Sequence, residues 1–118
     1  LRKIFAKKLL KKRKTMKERE IVLNGCYGGF GISEAAKKWL SERGMTEEQI
    51  EDTDRHWPTN EARMNPLLIK CIKTLGKEAN GNHADLRIET FTGNKIRIDE
   101  YDGIEQLRTP ETERYDTV

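Results

Sequence analysis

The chain predicts a small α+β domain, with two main helices on one face of a mixed sheet of about four strands that ends in a C-terminal β-meander. Three observations carry this reading. A branched apolar run, Ile21-Val22-Leu23, stands against Asn24-Gly25 as a buried strand. Two stretches with helical apolar spacing lie between cap signals, and from Ala84 onward apolar and polar residues alternate between glycine turns.

Taken in order, the glycine-rich segment Gly25-Cys26-Tyr27-Gly28-Gly29-Phe30-Gly31-Ile32-Ser33 follows the first strand. Ser33 is a natural N-cap and Gly44 a stop, so Ala35 to Arg43 is expected to be helical with Ala36, Trp39 and Leu40 buried. Thr46-Glu47-Glu48-Gln49 matches a capping box and opens a short acidic helix that fades near Thr53. Residues 54–64 carry Pro58 without a clear period and read as a surface loop or lid joining the two halves and holding His56, Trp57 and Arg63.

Asn65-Pro66 then starts the main core helix, with Leu68, Ile69, Ile72 and Leu75 at its spacing; Gly76 weakens it and Asn80-Gly81 closes it. Ala84 to Phe91 and Lys95 to Tyr101 alternate, joined through Thr92-Gly93-Asn94 as a hairpin. Asp102-Gly103 turns the chain into Ile104 to Arg108, which pairs Ile98 with Leu107. From Thr109 the tail is polar and expected to fray.

At 118 residues one compact domain is expected, over residues 20–108. No run approaches the length of a membrane span. The formal charge of +3 hides a split: residues 1–19 hold ten Lys/Arg against one Glu, leaving thirteen Lys/Arg against nineteen acids in the rest. Residues 1–19 therefore form a basic arm, with Ile4, Phe5, Leu9 and Leu10 at near-helical spacing. It suits attraction to nucleic acid or another anionic surface. It also reads as a solvated extension or, with Met16 just ahead of the first strand, as sequence upstream of the folded unit.

The leading site candidate is the loop itself. Four glycines in nine residues let main-chain N–H groups approach a ligand closely, and the helix that follows favours an anion at its start. Gly25, Tyr27, Gly28, Gly29, Phe30, Gly31 and Ser33 are the candidate ligand-binding residues, with Arg63 and Tyr101 as neighbours. The competing reading is that the glycines serve close packing. No Lys-Ser/Thr follows the last glycine, and the first Gly-x-Gly of the dinucleotide fingerprint is missing, so no cofactor is implied.

Cys26 is a candidate nucleophile only if His56 or His83 comes within reach. Otherwise it is a small hydrophobe, as Cys71 beside the core stripe is expected to be. Neither cysteine has metal-ligand spacing, and with no secretory signal both read as reduced thiols. Asp99, Glu100, Asp102 and Glu105 lack the order of a calcium loop and read as a solvated hairpin, so no metal site is expected.

The blocks IVLNGCYGGFGIS, NPLLIKCIKTLGKEANGNHADLRIE and IDEYDGIE, in that order, resemble a family of small uncharacterised proteins of tailed phages and large DNA viruses. The resemblance spans about Ile21 to Glu105 and omits the basic arm. It implies a viral accessory protein in the reducing cytoplasm of an infected cell and supplies no catalytic residues. Three functions follow as expectations: a non-enzymatic protein that binds a small anion, a nucleotide or a host component through the loop; an interaction module acting on a host protein, its loop purely structural; and, third, a Cys26-dependent enzyme.

Overall fold

A computed structural model describes residues 18–109 and 116–117. The basic arm up to Lys17 and most of the polar tail, with what the sequence predicts for them, lie outside the described residues.

The first strand, β1 (Arg19–Asn24), forms the middle of the molecule. Ile21, Val22, Leu23 and Asn24 are all fully buried. A strand covered on both faces needs no polar alternation, which explains its continuous apolar run. Val22 packs in a cluster with Phe30, Ala36, Leu40, Leu68 and Ile72. Ile21 and Leu23 join a second cluster with Phe91 and Ile96, against which Ile98 and Leu107 pack. Successive strand side chains point to opposite faces, so β1 separates a helical layer from a second sheet.

The helical layer follows its cap signals. α1 (Glu34–Glu42) begins at Ser33, whose Oγ accepts the Ala36 amide at 3.1 Å. α2 (Glu47–Thr53) opens with the reciprocal Thr46–Gln49 box that the sequence predicts. α3 (Asn60–Arg63) is one turn inside the stretch expected to be loop, started by a Thr59 cap that sequence inspection overlooks. α4 (Pro66–Leu75) has Asn65 accepting the Leu67 amide at 2.9 Å and buries Leu68, Ile69, Cys71 and Ile72. Gly76 ends it, and a 3₁₀ turn, Gly76–Ala79, takes the place of the helical continuation.

β1 pairs antiparallel with β2 (Leu86–Phe91), Val22 opposite Ile88. β3 (Lys95–Tyr101) pairs with β4 (Ile104–Arg108) across Asp102-Gly103, with Ile98 opposite Leu107 as expected. The α+β class stands, but the strands form two antiparallel sheets, β1–β2 and β4–β3–β5, in place of one mixed sheet with a meander. β5 (Asp116–Thr117) pairs with Lys95 and Ile96 from within the segment expected to fray.

Thr92-Gly93-Asn94 is therefore a corner between sheets, not a hairpin turn. Phe91 and Ile96, on either side of it, both turn into the cluster with Ile21 and Leu23. Laying β3 beside β2 would leave that face of β1 uncovered, and burial of four large apolar side chains outweighs one more ladder. Among the described residues no helix is long and apolar enough to cross a membrane.

Candidate functional site

The glycine loop is anchored first by Asn24, buried at the end of β1. Its Nδ2 donates to the carbonyls of Cys26 at 2.7 Å and Gly103 at 2.6 Å. Its Oδ1 accepts the Asp85 amide at 2.8 Å and the Cys26 amide at 3.4 Å. One saturated side chain thus ties the loop to the β3–β4 turn and to the start of β2. A buried amide so satisfied holds three chain segments in one register.

The loop then presses against that turn. The Gly28 amide donates to the Asp102 carbonyl at 3.0 Å, and a Cβ on Gly103 would lie 2.7 Å from the Gly28 nitrogen. Farther along, the Ser33 amide donates to the Ala79 carbonyl and the Gly81 amide to the Gly31 carbonyl, both at 2.9 Å. A bridge between Ile32 and Asn80 results, and Gly81 has no room for a side chain against Gly31. Asn80-Gly81 closes the helical segment and also forms one wall of the site.

Gly28 and Gly29, at φ +111° and +110°, hold a conformation that side-chain-bearing residues rarely adopt. Two histidines occupy the space their missing side chains leave, His83 through its Cβ and carbonyl and His56 through its ring. A Cβ on Gly28 would meet the His83 Cβ at 2.6 Å, and one on Gly29 would collide with Nδ1 and Cε1 of the His56 ring. The chain's two histidines, 27 residues apart, meet at adjacent glycines.

Between them lies a cleft of about 370 Å³, walled by the loop from Gly28 to Ser33, by Glu34, Lys37, Asp54 and His56, and by the turn from Gly81 to His83. Asp54 Oδ1 accepts the Ile32 amide at 3.1 Å, and its Oδ2 lies 2.8 Å from Lys37 Nζ. Lys37 also lies 3.1 Å from Glu34 Oε1. The bond to Asp54, then that to Glu34, holds the Lys37 ammonium above its ordinary pKa. The protein's own carboxylate thus fills one anion-accepting position, while the amides of Gly29, Phe30 and Gly31 donate to no acceptor among the described residues.

The expected site residues divide. Gly28, Gly29, Phe30, Gly31 and Ser33 line the cleft. Gly25 lies before it, its amide bonded to the Asp85 carbonyl at 2.8 Å. Phe30 contributes little surface, because its ring is buried. The Ser33 hydroxyl is committed to the α1 cap and to the Glu78 carbonyl at 2.5 Å. Tyr27 and Tyr101 are exposed beside the Gly28–Asp102 contact.

Arg63 does not reach the cleft. It is fully buried, bonded through both terminal nitrogens to Glu105 at 2.6 Å, with its guanidinium over the rings of Phe30, at 5.1 Å, and Trp57, at 5.0 Å. Cys26 is half-buried and, among the described residues, makes no hydrogen bond to either histidine. Burial pushes the Cys71 thiol up to about 11. The sequence reading missed Lys37, Asp54, His56 and His83 as cleft residues; the one available signal was that a histidine-poor chain places one beside each segment that crosses the loop.

A larger groove, about 960 Å³, lies between β1 and α4 over Met64, Pro66 and Ile69, with Arg19, Lys70 and Lys73 at its edge. It gathers no histidine, and Lys73 is paired with Glu20 at 2.7 Å. Size favours the groove, whereas convergent polar chemistry favours the cleft, and chemistry decides function. Among the described residues no group of three or more His, Cys, Asp or Glu is placed to hold a metal ion. No family model, curated protein or solved structure matches the chain.

Proposed function

We propose that the cleft binds a small anionic ligand, as an accessory protein of a phage or large DNA virus without catalytic activity of its own. The observation that carries this reading is the meeting of His56 and His83 on Gly28 and Gly29, with Lys37 at the same cleft. Imidazoles donate hydrogen bonds to an anion when neutral and add charge when protonated. The amides of Gly29 to Gly31 and the start of α1 supply further donors. Asp54 occupies one donor and leaves the remaining space polar.

The test is thermal unfolding and calorimetric titration with inorganic phosphate, on wild type and on His56→Gln, His83→Gln and Lys37→Gln. Phosphate at a hundred times its Kd should add about 2.7 kcal/mol of stability to the wild type. Each substitution should weaken that gain. A wild type whose unfolding is indifferent to phosphate, with no heat of binding, contradicts the reading.

A second reading has its own support. Tyr27, Trp57 and Tyr101 are exposed, and aromatic side chains are the usual anchors of protein interfaces. On that reading the surface engages a host protein and the glycine loop is purely structural.

A further inference from the structure

We infer that the ligand of the cleft is a nucleoside phosphate, its phosphate held by the imidazoles and its base stacked on Trp57; this rests on the anion-binding reading above. Trp57 directly follows His56, whose ring packs on Gly29. The Arg63 guanidinium sits 5.0 Å from the centre of the Trp57 ring, and Arg63 itself is fully buried. One face of the indole is therefore pinned from within the protein by a cation. Yet the residue as a whole remains 51% exposed.

An aromatic ring fixed on one side and free on the other is a prepared stacking surface, since little side-chain freedom is left to lose on binding. Trp57 does not itself line the cleft; it stands one peptide step beyond His56, which does. Two further exposed aromatics stand at the loop, without a cation against either ring among the described residues: Tyr27 precedes Gly28, and Tyr101 precedes Asp102, whose carbonyl takes the Gly28 amide. Aromatics beside cationic groups are what a base attached to a phosphate requires, and stacking tolerates any base.

The experiment compares inorganic phosphate, adenosine and adenosine 5′-monophosphate by calorimetry, following the indole N–H signals of Trp57 and Trp39 by NMR. The monophosphate should bind about tenfold or more tightly than phosphate and shift the Trp57 signal, while the Trp39 signal stays in place. Trp57→Ala should remove that advantage and leave phosphate affinity unchanged; Trp57→Phe, which keeps a ring over Arg63, should retain part of it.

Equal affinity for phosphate and the monophosphate, or a Trp57 signal that never moves, overturns the base contact and leaves anion binding standing. Absence of binding by both removes the two readings together. A 5′-phosphorylated oligonucleotide that binds more tightly than the monophosphate identifies the nucleoside phosphate as a strand end; equal or weaker binding identifies a free nucleotide.

Discussion

Arg63 and Glu105, 42 residues apart, face each other through two hydrogen bonds of 2.6 Å, with their side chains 0% and 1% exposed. The pair joins four segments. Arg63 Nε donates to the Pro58 carbonyl at 3.0 Å and Glu105 Oε1 accepts the Asn24 amide at 2.8 Å. The ring of Phe30, from the glycine loop, lies 5.1 Å from the guanidinium. The pair therefore holds β4 and the 54–64 segment against the end of β1, where the loop begins.

Removing either partner leaves a buried charge uncompensated, so Arg63→Met and Glu105→Gln should each cost about 3–5 kcal/mol. The double variant should cost less than the two losses combined. Urea unfolding of the four proteins in a double-mutant cycle checks both statements.

Gly103→Ala should destabilise more than Gly93→Ala, although both glycines have positive φ, +96° and +88°. At Gly93 a Cβ meets nothing within 4 Å, so the cost is backbone strain alone, about 1–3 kcal/mol. At Gly103 the Cβ would also collide with the backbone of Gly28, which can yield only by moving the loop. Denaturant midpoints of the two variants give the comparison.

Lys37 links the site to pH. Asp54 and Glu34 raise its pKa, so the folded protein keeps a proton that the unfolded chain releases at the ordinary lysine value of 10.5. The stability from this pair is complete below that value and is lost as pH rises through the folded pKa. Asp54→Asn should cost under about 1 kcal/mol at neutral pH and flatten this alkaline loss. Unfolding free energies of the two proteins, measured upward from pH 9, show whether their difference closes.

The two thiols should separate by reactivity. Cys26 is half-buried and Cys71 fully buried. A disulfide reagent at pH 8 should label one thiol in the native protein and the second only in denaturant. Burial raises Cys71 from an ordinary 9.0 to about 11, so the unfolded thiol ionises first and stability declines between those values. Two equally fast native labelling phases would contradict the packing of Cys71.

Local signals were readable where the chain satisfies its own backbone. Ser33, Thr46 and Asn65 cap the helices that their positions announce, and Asp102-Gly103 places Ile98 opposite Leu107. The glycine segment was legible as a candidate site because its composition exceeds the needs of a turn. What the sequence could not carry was layer assignment. Phe91 and Ile96 fit a hairpin as well as a corner, and only the second uncovered face of β1 chooses between them.

The cleft depended on the same kind of long-range fact. Lys37, the pair Asp54 and His56, and His83 come from three separate stretches, and no local spacing links one stretch to another. Arg63 shows the converse, because an arginine in an expected surface loop reads as available for a ligand until Glu105 is found opposite it.

Titration of isotope-labelled protein with inorganic phosphate, followed by amide and imidazole NMR signals, tests the central claim most directly. The account predicts saturable shifts centred on Gly29, Phe30 and Gly31 and on the rings of His56 and His83. Signals there that stay fixed up to tens of millimolar phosphate, or shifts confined to Lys70 and Lys73 along the larger groove, would contradict it.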